Sequence, residues 1–170
     1  MSKREIITAV FEHNEWANVR LLDAAAGLSE DELTANRGPD CGSLQDILSH
    51  MLGSHVFMLM VNGMQPPVLE EVKPGSVMAT LRQSFERVHP PLRELAESFS
   101  DEQLDEPLTV NNPDVDGVWR QWQRPRWNVL LSMGTHAMQH RGEAALILTS
   151  LGHSPGELDF STWSWRVRGA

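Results

Sequence analysis

The 170-residue sequence has no tyrosine and a single cysteine, Cys41. One thiol closes no internal disulfide and builds no cysteine-rich zinc module, and such usage fits a reducing compartment. Basic residues are also scarce: 14 Lys and Arg stand against 23 Asp and Glu, a formal net charge of −9. Broad binding to a phosphate backbone needs a basic surface, so no nucleic-acid partner is expected. Long hydrophobic runs are missing too. The most apolar stretch, 44–61, contains Asp46, His50, Ser54 and His55. It is too polar and too short to span a bilayer, so no membrane partner is expected. The early apolar segment Ile6 to Phe11 is broken by Glu12, His13, Asn14 and Glu15, too soon for a signal peptide. A cytoplasmic location is therefore expected.

What remains is an ordinary globular composition, 41% apolar and 22% charged. At this length a single domain over residues 1–170 is the expectation, burying roughly two-thirds of its unfolded surface. Four segments carry helical periodicity. The first runs from about Ser2 to Ala26, with Ile7, Val10, Phe11, Ala17, Leu21 and Ala25 on its apolar face. The second starts near Ser43, a plausible N-cap with Asp46 three residues on, and ends at Asn62-Gly63. Apolar residues surround it almost completely, which predicts a deeply placed helix.

The third segment, from Val77 to Phe99, keeps its apolar phase across Pro90 and Pro91, so one kinked helix is expected. The fourth runs from about Trp127 to Leu151, with Gly152 placed to end it. Between the last two, turn residues at 111–114 and 116–117 sit between Leu108-Thr109-Val110 and Val118-Trp119. That pattern suggests a short β-hairpin. A faint repeat is also visible: Ser29-Glu30-Asp31-Glu32 and Ser100-Asp101-Glu102-Gln103 each read as a capping box opening a short turn. Either such boxes are simply common, or the halves are duplicated and face each other across a pseudo-twofold axis.

The chemistry concentrates on histidine. His136 and His140 form an H-x3-H pair on the stripe Val129, Met133, His136, His140, Ala144, Ile147. Residues four apart on a helix stack on one face, so both imidazoles can address one cation. A third ligand must come from another helix. His50 and His55 are the candidates, but a spacing of five places them about 140° apart at ~100° per residue, so they cannot share a target. Periodicity leans towards His55, centred among Leu44, Leu48, Met51 and Met58. His50 lies on a less apolar stripe with Ile47, Ser54, Phe57 and Val61. The alternative for all of them is a set of core histidines without a metal.

Several short blocks occur together in order: Asn14-Glu15-Trp16-Ala17-Asn18, Ser43-Leu44, His50-Met51-Leu52, His136 to Gly142, Leu151-Gly152-His153 and Leu158-Asp159-Phe160. They resemble the DinB-like (damage-inducible) family, which is similar to thiol-dependent maleylpyruvate isomerases and related S-transferases. The resemblance spans nearly the whole chain, and the H-x3-H-R-G block is its most specific part. It implies an all-α, antiparallel four-helix bundle, up-down-down-up, with three histidines binding a divalent metal at one end. Carried onto this sequence, the ligands are His50, His136 and His140. His55 becomes a pocket or core residue, and Arg141 a structural hydrogen-bond donor. The sequence departs from the usual H-R-G-Q by placing Glu143 after Gly142.

An open three-histidine site can activate water, or hold a thiol as thiolate. Given the resemblance, the leading expectation is a metal-dependent transferase moving a low-molecular-weight thiol onto a small electrophilic substrate. The alternative is a non-enzymatic, stress-linked metal or small-ligand binding protein. Three imidazoles suit zinc, nickel, iron or copper; four-coordination favours zinc, six-coordination nickel or iron. Glu12, Glu15 and Glu143 are conceivable bases, although solvated helix faces account for each. A homodimer is conceivable through helix one and the tail bearing Trp163 and Trp165, unless that tail packs on its own bundle.

Overall fold

A computed structural model describes residues 1–38, 42–114 and 116–169; Cys41 lies outside the described residues. Four long helices dominate: α1 (Lys3–Ala25), α3 (Leu44–Val61), α4 (Val77–Glu97) and α6 (Arg126–Ser150). Short helices α2 (Glu30–Thr34) and α5 (Asp101–Asp105) follow α1 and α4, and α7 (Phe160–Trp163) runs into a single π-helical turn, Ser164–Arg168. The starts are written locally. Ser2, Ser29, Ser43 and Ser100 each form a complete capping box with the Glu, Asp or Gln three residues on, satisfying backbone donors that a helix start leaves orphaned. Helix α6 ends in Gly152, whose φ of +85° suits glycine alone. Helix α4 passes through Pro90 and Pro91 as one element, as its unbroken apolar phase predicted.

The long helices form a square in which α1 and α3 are diagonal, each packing on both α4 and α6. Ion pairs Glu15–Arg93 (2.7 Å) and Asp23–Arg82 (2.9 Å) run in opposite directions along α1 and α4, so these are antiparallel. Asn62 bonds Arg126 while His50 meets His136, so α3 and α6 are antiparallel as well. Val10 abuts Gly134 and Asn18 bonds Arg141, which makes α1 and α6 parallel. The result is up-down-down-up, as expected. Its core holds Leu21, Leu48, Met51, Leu59, Leu81 and Phe85, all fully buried. Among the described residues no helix is long and apolar enough to cross a membrane.

The hairpin exists and exceeds its expected length. Strands β1 (Pro107–Pro113) and β2 (Trp119–Pro125) pair antiparallel, Pro107 opposite Pro125 and Pro113 opposite Trp119. Only Leu108, Val110 and Trp122 are half-buried, so β2 shows no apolar alternation and was invisible beyond its first residue. Helix α3 also departs from expectation. Despite its apolar circumference it leaves His50 and Gly53 exposed, because that side borders an open cleft, and Met60 is exposed near its C-terminal end. Trp163 is buried against His13 and Phe160, so this part of the tail packs on its own bundle, whereas Trp165 is exposed.

Candidate metal centre

Helix α6 stacks His136 and His140 on one face with ring centroids 4.5 Å apart, as their spacing of four dictates. Helix α3 supplies His50, whose Nε2 lies 3.1 Å from Nε2 of His136 and whose ring centre is 4.6 Å from that of His140. One ligand atom from each of the three falls within 4.8 Å of the other two, so the group could hold a metal ion. Bonds of about 2.0–2.1 Å to one ion put donor nitrogens ~2.9–3.4 Å apart, a separation the His50–His136 pair already has. Among the described residues this is the one such group, and it has three members.

The surroundings suit ligation. His50 is exposed and His136 and His140 are half-buried, which leaves one side of the group open. Burial first, and then His140 and His50, hold the His136 pKa below its usual value and favour the neutral, ligating ring. Nδ1–H of His140 donates to Glu143 Oε2 at 2.7 Å. That bond fixes the tautomer and turns Nε2 towards the group. Gln139 donates to the other oxygen of Glu143 at 3.2 Å. Glu143 is thus engaged with a histidine, not merely solvated. Glu15 pairs with Arg93 and Glu12 with Arg168, neither at the cluster.

Periodicity leaned towards His55, but it is His50 that the structure brings next to His136 and His140. His55 is fully buried and packs near Phe85 and His89 of α4, while Asn14 Nδ2 donates to its Nε2 at 2.7 Å. The apolar stripe measured depth and not convergence: it faces α1 and α4, whereas α6 lies across the stripe that carries His50. Burial pushes the His55 pKa down to about 3 and that of His89 down to about 4.

Behind the cluster lies a polar network that periodicity missed. Arg141, 2% exposed, donates to Oδ1 of Asn14 and of Asn18, the latter at 3.2 Å. The amide nitrogens of those asparagines turn to His55 (2.7 Å) and His89 (3.4 Å). Burial lowers the Arg141 pKa to about 10, so the guanidinium stays charged at neutral pH. A signal was present: Asn14 and Asn18 are four apart, in line with Leu21, Leu22 and Ala25 on the inward face of α1. Burying them there demands internal partners. His13, also buried, sits apart from this network and donates from Nε2 to the Leu158 carbonyl at 2.8 Å.

A cleft of about 580 Å³ opens beside the histidines. Its walls are His50, Gly53 and Phe57 of α3, Met133 and His136 of α6, and Asn112 of β1. The hairpin therefore closes one side of the site.

A family model described as the DinB family matches residues 1–166. No curated protein matches the sequence.

Proposed function

The chain belongs to the DinB family, and on that footing we propose a divalent-metal protein whose ligands are His50, His136 and His140. Its proposed activity is transfer of a low-molecular-weight thiol to a small electrophile. The observation that carries the reading is the meeting of three imidazoles from two antiparallel helices, with Glu143 orienting one and a cleft beside them. Zinc, nickel and iron all suit three imidazoles. Bound there, such an ion would supply Lewis acidity that lowers the pKa of a thiol or water. His50, His136 and His140 hold it with neutral rings. Glu143 keeps the proton of His140 on Nδ1 and away from the ligating side. The open face beside His50 admits the thiol, and the cleft presents the electrophile. Transfer joins the sulfur to an electrophilic carbon as that carbon's leaving group (chloride, for monochlorobimane) departs with its bonding electron pair, and the S–H proton passes to solvent.

Metal analysis of protein purified anaerobically without a histidine tag is the first test. Near-stoichiometric metal is expected, lost in His50→Ala and in His140→Ala; retention in both would overturn the ligand assignment. Metal-loaded protein is then incubated with glutathione, bacillithiol or mycothiol and monochlorobimane. Adduct formation faster than with the triple-histidine variant supports the transferase. A second reading, a metal or small-ligand binding protein, draws on one observation: no carboxylate lines the cleft among the described residues. Equal rates for wild type and triple variant would favour it.

A further inference from the structure

Packing does not account for Gly53. It occupies the middle of α3, where glycine is the poorest helix former after proline. Its φ is not positive, and a Cβ built on it meets no heavy atom within 4 Å. Neither backbone strain nor a close neighbour requires glycine there. What the missing side chain does is keep open the cleft next to His50, three residues earlier on the same helix.

The lining shows what fits. Phe57, Met58 and Met133 give it an apolar interior, and among the described residues its only ionisable side chains are His50 and His136. Two hydroxyls reach it, but Ser54 donates to the Met51 carbonyl and Ser132 to the Val129 carbonyl, each at 2.7 Å. Their protons are committed to their own helices. Beside the two imidazoles, the amide of Asn112 on β1 is the polar side chain the cleft can offer. A cationic group entering it would lose hydration with no carboxylate to meet among the described residues. A volume of about 580 Å³ is that of a small-molecule pocket.

Resting on the reading of the histidines as the reactive centre, we propose that this cleft takes the uncharged, apolar part of the electrophile. Asn112 anchors it through one hydrogen bond, and Gly53 sets how large it can be. A polar, charged thiol then approaches from the opposite, solvent-facing side of His50.

Straight-chain alcohols from ethanol to octanol probe the cleft without requiring transfer chemistry. They are titrated into the full chain, with and without zinc, and followed on the methyl resonances of Met58 and Met133. Binding is expected to tighten roughly threefold to fourfold per methylene until the cleft is full. Gly53→Leu should abolish that dependence while keeping the wild-type helical spectrum and metal content. Gly53→Ala should shorten the longest chain accepted. Asn112→Ala should weaken all chain lengths alike, and Gly142→Ala, on α6 outside the cleft, should change nothing. Unmoved methionine signals at octanol, or wild-type binding by Gly53→Leu, would overturn the proposal. Alcohol binding without metal uptake would leave the cleft standing and remove the metal reading; metal uptake without alcohol binding would do the reverse.

Discussion

Nδ1 of His140 and Oε2 of Glu143 lie 2.7 Å apart across one turn of α6, with the imidazole donating to the carboxylate. A carboxylate behind a ligating imidazole raises its basicity and locks its orientation. Glu143→Ala should weaken metal binding about 10-fold to 100-fold. Glu143→Gln keeps an acceptor without the charge and should lose less. Competition against a fluorescent chelator measures both; equal affinity in all three proteins would show that the contact does not act on the metal.

Arg141 bridges two helices through two asparagine side chains, inside the bundle. Arg141→Met keeps much of the volume but strands both asparagine oxygens. The expected loss is about 2–4 kcal/mol in urea unfolding. Arg141→Lys should restore little, because a single ammonium on a flexible stem does not reproduce the planar guanidinium fork. A Met variant as stable as wild type would contradict the account.

Acid should destabilise the fold through its buried imidazoles. The pKa values of His55 and His89 fall to about 3 and about 4 in the folded chain, against 6.5 for the free side chain. Between those limits the unfolded chain binds more protons than the folded one. Their contribution is therefore complete above about pH 6.5 and is lost progressively as pH falls towards 4 and below. Each adds a slope of up to ~1.4 kcal/mol per pH unit. Urea unfolding from pH 7 to pH 4.5 should show the decline, and His89→Gln should flatten it; a level wild-type profile would refute the assignment.

Two glycines of α6 should respond oppositely to alanine. A Cβ at Gly142 meets nothing within 4 Å, and Gly142→Ala should add about 0.8–1.0 kcal/mol through helix propensity. At Gly134 the added carbon would collide with Cγ1 of Val10 on α1. Gly134→Ala should cost about 1–3 kcal/mol as the stiff valine is displaced. Thermal melts of the two variants decide the matter.

Much of the architecture was legible because it is encoded locally. Serine capping boxes mark four helix starts, Gly152 marks the end of α6, and the apolar phase of α4 survives two prolines. The full extent of β2 was hidden, since a strand lying on the surface leaves little alternation to read. The roles of Asn14 and Asn18 were hidden as well: a polar residue on an inward face declares burial but not its partner.

Spacing alone determined that His136 and His140 share a face, because four residues make about one helical turn. Which histidine of α3 joins them was a question of what stands opposite each stripe, and one helix carries no record of its neighbours. Only the packing of α3 between α4 and α6 turned His50 towards the pair and gave His55 to Asn14 instead. The same packing left Gly53 facing open space and brought the hairpin across to close the cleft.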